Sequence, residues 1–178
     1  MVKYFGALLI VMALAAPAFA QDIPQIELGF GYGNLGLKGL PERHSGFATH
    51  QTINLNSWLA FDNYLGYYGF GDNPSYGKSQ LIAVIPAAKL TYHADRVAPY
   101  AVAGIGGGFL RFPDIGASSQ NSLAFRYGGG VDIPFKDSFA WKVEVTRMSF
   151  HFGNVTTGGS GYVSGVNLST GIVIKITQ

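Results

Sequence analysis

The chain has 178 residues, a net charge of +2, only 12% charged residues and no cysteine. Its length suits one domain. The missing cysteines exclude disulfides, a thiol nucleophile and a cysteine-based metal site, and the small net charge argues against nucleic-acid binding. An aromatic content of 14% beside 25 glycines disfavours intrinsic disorder and fits a chain that faces lipid.

The first segment, residues 1–20, has the features of a secretory signal peptide. Lys3 supplies a positive start, Phe5 to Ala16 is apolar and uncharged, and Ala18-Phe19-Ala20 is a small-residue cleavage site. The apolar stretch is too short for a transmembrane anchor. We therefore expect export, with the mature β-barrel domain spanning residues 21–178.

The mature chain offers no second helical span. Its longest strongly apolar run, Leu81 to Ala88, is far shorter than a membrane-spanning helix requires. Only helices and closed barrels satisfy every backbone polar group inside hydrocarbon. If this chain lies in a membrane, it must lie there as a closed β-barrel.

Apolar and polar residues alternate with a period of two in segment after segment. The alternation is clear in the first and last segments, where Glu27 and Lys175 lie on the faces opposite Leu28 and Ile174. It is weak between residues 48 and 71 and ambiguous in the Ala- and Gly-rich stretch that follows Val97. The pattern predicts eight strands at residues 25–33, 48–61, 64–71, 79–92, 97–110, 121–134, 138–150 and 162–177.

The predicted connections alternate between long and short. The long ones are Asn34 to Phe47, Asp72 to Lys78, Arg111 to Gln120 and His151 to Gly161, and the short ones centre on Asp62-Asn63, His93-Ala94-Asp95 and Pro134 to Asp137. Outer-membrane barrels have long extracellular loops and short periplasmic turns. The fold class is therefore all-β, an eight-stranded antiparallel up-and-down transmembrane barrel with both termini periplasmic.

Ionisable residues collect on the face that we assign to the lumen. An eight-stranded barrel has room inside for little but side chains, and charges buried there must pair. The sequence predicts a lumenal ion-pair network, with Arg126 and Glu144 as the first pair to test; the alternative is a gate that opens a narrow ion path when partners swap. The predicted network comprises Glu27, Lys89, Arg126, Asp132, Lys142, Glu144 and Lys175.

Two further groups lie outside that network. Arg147 falls on the oily face of its strand, either near the outer rim, where it meets lipid phosphate, or after a bulge that resets the alternation. Tyr and Trp residues form interfacial girdles on such barrels. The predicted girdle comprises Trp58, Tyr92, Tyr100, Tyr127 and Trp141.

Several motifs indicate a known family. They are Asn56-Ser57-Trp58, Val97-Ala98-Pro99-Tyr100 before a Gly-rich strand, the segment from Ala124 to Asp132, and the segment from Leu168 to Ile174. With them the chain resembles the small outer membrane β-barrel domain proteins of the OmpA-like superfamily. The resemblance implies a barrel and carries no catalytic residue. Family members usually end on an aromatic residue, whereas this chain ends on Gln178.

The sequence gives little support to an enzyme. His151-Phe152-Gly153-Asn154 resembles the His-x-Ser-Asn element of outer-membrane lipid A deacylases, but Gly153 replaces the nucleophilic serine. The other histidines lack the spacing of a helical zinc site.

The sequence therefore predicts a non-enzymatic outer membrane protein, structural or adhesive, with weak porin-like channel activity. We expect a monomer without cofactor or metal, whose partners are outer-membrane lipids and the outer-membrane assembly machinery. One alternative is a lipid-modifying barrel enzyme. The other is a soluble periplasmic lipocalin-like barrel, which needs an oily interior and a polar exterior.

Overall fold

The computed structural model describes residues 25–38, 43–73, 77–94, 96–112, 117–155 and 159–176. These residues form eight strands joined by turns, and none of them belongs to a helix long and apolar enough to cross a membrane. The strands are β1 (Ile26–Leu37), β2 (Arg43–Asn54), β3 (Leu59–Asn73), β4 (Gly77–Thr91), β5 (Ala98–Phe112), β6 (Ala117–Lys136), β7 (Phe139–Val155) and β8 (Gly159–Ile176).

The eight strands form one closed barrel in chain order. Each strand pairs antiparallel with its sequence neighbours, and β8 returns to pair with β1 from Ile26↔Ile176 to Leu37↔Gly165. Because the barrel is closed, each of the eight described strands has a paired neighbour on both sides. The predicted all-β, eight-stranded antiparallel up-and-down architecture is confirmed.

The outside of the barrel is apolar. Large hydrophobic side chains stay exposed along every strand, for example Phe30 and Phe47 on the first two strands and Val143 and Leu168 on the last two. A soluble protein rarely exposes so continuous an apolar surface, whereas a membrane barrel presents it to lipid. This exterior is the reverse of what the lipocalin-like alternative requires.

Seven of the eight strands are longer than predicted, and the four long connections are shorter. β1 runs on to Leu37 and β2 begins at Arg43, so much of the expected loop Asn34 to Phe47 is strand. The expected loop His151 to Gly161 is also largely strand, since β7 ends at Val155 and β8 begins at Gly159. A transmembrane strand needs about 9–11 residues. The strands of 12 to 20 residues exceed this length, and in β1 the alternation of more and less buried side chains continues to Leu37.

The turn between β2 and β3 is also displaced from its predicted position. The chain reverses at residues 55–58, where the Asn56 Oδ1 accepts hydrogen bonds from the backbone N–H groups of Trp58 (3.0 Å) and Leu59 (2.8 Å). An Asn side chain that binds the backbone two residues ahead is a common turn device. Asp62, predicted to lie in a turn, is therefore an inward-facing residue of β3.

The inside of the barrel has two layers along its axis. The half near the chain termini holds the buried charges. The other half is an apolar layer, which the sequence did not predict because its residues share the inward face with the charges. The apolar layer comprises Leu35, Leu37, Ala48, Tyr64, Tyr68, Leu81, Ala83, Ile85, Ala124, Met148, Phe150 and Phe152.

Candidate functional site: the barrel lumen

Six of the seven charges predicted for the lumen are buried inside the barrel. They are Glu27, Lys89, Arg126, Asp132, Lys142 and Glu144. Lys175 departs from the prediction: it lies opposite Glu27 in the β1–β8 register, is partly exposed, and forms no ion pair with the residues that the structure describes. Its place near the end of β8 lets water reach its ammonium group.

Arg126 is the centre of the first cluster and is only 1% exposed. Its Nη2 lies 2.6 Å from the Glu144 Oε2, so the pair singled out in the sequence is in contact. Its Nη1 lies 2.9 Å from the Asp62 Oδ2, and the guanidinium carbon lies 4.5 Å from the centroid of the Tyr64 ring. Two carboxylates and an aromatic face therefore hold one buried cation.

Asp62 extends this cluster to β2, whereas the sequence pattern predicted a turn at this residue. The Thr52 hydroxyl donates to the Asp62 Oδ1 at 2.9 Å, and the His50 Nδ1 lies 3.3 Å from the Asp62 Oδ2. With the turn placed at residues 55–58, the alternation of Ala60, Asp62 and Tyr64 would have put this carboxylate inside. Because the turn was predicted at Asp62-Asn63, this alternation was not recognised.

The second cluster lies nearer the termini. The Lys89 Nζ contacts the Asp132 Oδ2 at 2.9 Å and the Glu27 Oε2 at 3.5 Å. The Lys142 Nζ contacts the other oxygen of Asp132 at 3.1 Å. One carboxylate thus pairs with two ammonium groups from different strands, which ties β4, β6 and β7 together across the lumen.

Tyr100 joins the two clusters. Its hydroxyl donates to the Glu144 Oε2 at 2.9 Å and accepts from the Lys142 Nζ at 3.2 Å. The ammonium groups of Lys89 and Lys142 lie 4.5 and 4.3 Å from its ring centroid. One phenol therefore touches both groups of ion pairs.

The placement of Tyr100 corrects the predicted aromatic girdle, because this side chain is 7% exposed and faces the lumen. Small residues on both faces of β5 leave its alternation unreadable. Opposite Tyr100 in the register stands Gly130, where a Cβ would lie 2.5 Å from the phenol oxygen. The other girdle residues lie outside: Tyr92, Tyr127 and Trp141 are exposed, and Trp58 is partly exposed in the β2–β3 turn.

Replacing Tyr100 with Phe tests the bridge between the clusters. The change leaves a buried Glu144 oxygen with one donor fewer, and we expect the free energy of unfolding to fall by about 2 kcal/mol. Equilibrium urea unfolding in lipid vesicles measures the loss. Tyr127→Phe is the matched control, because its ring faces outward, and it should leave the unfolding midpoint unchanged. Equal effects of the two substitutions would contradict a lumenal bridge.

The lumen is built to be filled. A gap beside His50, Lys142 and Ser169 holds about 10 Å³, enough for at most one water molecule. Three Lys or Arg cations meet four carboxylates, and His50 adds a further partner. Among the described residues, no group of three or more His, Asp or Glu is placed to hold a metal ion. This arrangement suits a seal.

In the apolar half of the lumen, a network of hydrogen bonds stabilises the packing. The Tyr64 hydroxyl hydrogen-bonds that of Tyr68, which donates to the Asn167 Oδ1 at 2.8 Å. All three residues are fully buried. Their hydrogen bonds link β3 to β8 across the barrel, so the apolar layer closes the lumen a second time.

An apolar exterior, full closure and an ion-paired interior together define a membrane-embedded β-barrel. The chain matches the family model described as outer membrane protein beta-barrel domain over residues 6–172, and it belongs to this family. A comparison with curated protein sequences found no match.

Solved structures of small outer membrane barrels share the fold. Neisserial surface protein A is similar with a TM-score of 0.68 and 18% identity, over 85% of this chain and 97% of that one. OprG from Pseudomonas aeruginosa gives a TM-score of 0.58 at 9% identity, over 88% and 97%. Ail, the attachment invasion locus protein of Yersinia pestis, gives 0.50 at 16% identity, over 84% and 96%. Identities this low describe the fold alone.

Proposed function

We propose that this chain is a non-enzymatic barrel of the bacterial outer membrane with a structural or adhesive role. In this proposal the signal peptide of residues 1–20 is cleaved after export, and the turns at residues 55–58 and 137–138 face the periplasm with the termini. Family membership and the apolar exterior support the location. The filled lumen is the observation that carries the functional part.

The lumen argues against a constitutive pore. An ion crossing the barrel would have to displace the Arg126 pairs first and then pass the apolar layer around Tyr68 and Phe150. Eight-stranded barrels are just wide enough for side chains to fill them. Channel activity in this protein is therefore weak and requires side chains of both layers to rearrange together.

The long strands favour a role at the cell surface. β6, β7 and β8 have 20, 17 and 18 residues, so their paired ends project above the membrane as a rigid rim. A rigid rim orders its contact residues before a partner arrives, which lowers the entropic cost of binding. Any adhesive contact is then made by this rim and the short loops between its strands.

Ion flux across vesicles tests the sealed lumen. We expect vesicles that carry the purified protein to release potassium only slightly faster than protein-free vesicles. The same protein is also inserted into planar bilayers, where long-lived, porin-sized conductance steps would contradict the proposal. Adherence of intact cells that depends on expression of the protein would select the adhesive role. Loss of envelope integrity in cells that lack the protein would select the structural role.

A further inference from the structure

Two arginines face outward on one row of the barrel. Arg147 on β7 lies opposite Val166 on β8, Val166 lies opposite Gly36 on β1, and Gly36 lies opposite Arg43 on β2. The register is continuous through this row, so no bulge resets the alternation at Arg147. Both arginines are exposed on the same face as the apolar belt.

Arg43 extends across β1 toward β8. Its Nε donates to the Asn34 Oδ1, and its Nη2 donates to the carbonyl oxygens of Asn34 (2.6 Å) and Val166 (3.1 Å). The guanidinium lies over Gly36, where a Cβ would come within 2.7 Å of the Arg43 Nη1. The absence of a side chain at Gly36 leaves room for the Arg43 guanidinium.

Arg147 approaches the same part of β8 from the other side. Its Nη2 lies 3.2 Å from the Ser164 Oγ. The backbone N–H of Lys38 donates to the Ser164 carbonyl oxygen at 2.8 Å, which places a third exposed basic residue at this position. Lys38, Arg43 and Arg147 form what we call the outer basic cluster.

The height of the outer basic cluster matches a membrane boundary. From Ile176, at the terminal end of the exterior, to Val166 there are ten residues of β8, which at about 3.3 Å each and a tilt of about 40° rise about 25 Å. This is the height of the apolar band on outer-membrane barrels. The cluster therefore lies where the lipid headgroups of the far leaflet begin.

Among the residues whose side chains the structure describes, no carboxylate lies beside these cations. The described carboxylates lie in the lumen, except for Asp137 in a turn at the opposite end; the side chains of Glu42, Asp72, Asp95 and Asp114 are outside the described part. Cations on a lipid-facing surface are costly in hydrocarbon and acceptable near headgroups. Guanidinium forks match the geometry of phosphate oxygens, and an ammonium adds charge.

We propose that the outer basic cluster binds a phosphate group of the glycolipid of the outer leaflet, lipid A. This inference rests on the membrane orientation given under the proposed function. The phosphate sits against Arg43 and Arg147 over β8, and the acyl chains run down the exposed apolar side chains of Val145 and Leu168. The cluster thereby fixes the depth of the barrel and holds a lipid on the β8–β1 seam.

Titration of the full mature protein in detergent micelles with fluorescent bisphosphorylated lipid A tests this site. The double variant Arg43→Gln/Arg147→Gln should raise the Kd at least about 10-fold. Gly36→Val keeps every charge but displaces the Arg43 guanidinium, and it should also weaken binding. The control Arg96→Gln/Lys136→Gln removes two exposed charges elsewhere and should leave the Kd unchanged.

The remaining measurements distinguish lipid-bound phosphate from free phosphate. They also distinguish failure of the lipid site from failure of the proposed barrel function. Dephosphorylated lipid A should bind all variants weakly and alike. Equal affinity of the double variant and wild type, or competition by inorganic phosphate at the concentration of lipid A itself, would overturn the lipid site. Each variant is first checked for a compact form that unfolds only on boiling. A wild-type protein without this form would instead overturn the proposed barrel function.

Discussion

Replacing Arg126 with Met is expected to lower the free energy of unfolding by about 3–5 kcal/mol, because it leaves two buried carboxylates without their cation. Glu144 would lose its 2.6 Å contact and Asp62 its 2.9 Å contact in a lumen closed to water. Met is similar in length and lacks polar atoms, so packing changes little. Equilibrium urea unfolding in lipid vesicles, followed by tryptophan fluorescence, measures the loss.

The partners of Arg126 provide the internal control. Asp62→Asn with Glu144→Gln, added to Arg126→Met, removes the uncompensated charges, and the triple variant should regain most of the lost stability. Arg96→Gln, an exposed turn substitution, should stay within about 0.5 kcal/mol of wild type. An Arg126→Met protein as stable as wild type would show that the lumenal network does not bear on stability.

Replacing Gly171 with Val is expected to impair closure of the barrel. Gly171 lies opposite Gly31 where β8 meets β1, and a Cβ at Gly171 would lie 2.2 Å from the Phe30 carbonyl oxygen. A backbone atom cannot move aside as a flexible side chain can, so the two strands must separate locally. We expect a cost of about 3 kcal/mol or more and a smaller folded fraction after refolding into detergent.

The same strand offers a matched control for this substitution. A Cβ on Gly161, also in β8, has no neighbouring atom within 4 Å, so Gly161→Val should fold like wild type. The folded fraction is measured as the band that migrates differently before and after boiling. If both valine variants fold equally well, the close approach at the β1–β8 seam is not what limits closure.

Part of the lumen was predictable because a charged residue stands out in a strand whose apolar and small residues alternate with a period of two. Glu27, Lys89 and Glu144 each interrupt a run of apolar or small residues on a defined parity, and all three are buried. Arg126 and Glu144 were singled out as a pair to test because they lie on adjacent strands, although the sequence did not give the register that decides which partners meet. These predictions needed only the pleat of a strand.

Other parts were not predictable, for identifiable reasons. The faces of β5 were unreadable because Ala and Gly occupy both of them, so Tyr100 was assigned to the wrong side. Asp62 was lost because Asp-Asn is a good turn sequence, whereas the actual turn depends on the Asn56 side chain. In β3 aromatic residues occupy both faces, so the sequence did not show which of them face the lumen. The apolar layer around Tyr68 could therefore not be predicted.

The central claim is that the chain forms a closed barrel in the outer membrane, and migration on gels before and after boiling tests it most directly. Protein extracted from the outer-membrane fraction should run as a compact band when unheated and shift after boiling, because a closed barrel stays folded in detergent until heated. A protein found in the soluble periplasmic fraction, with the same migration in both samples, would contradict the account.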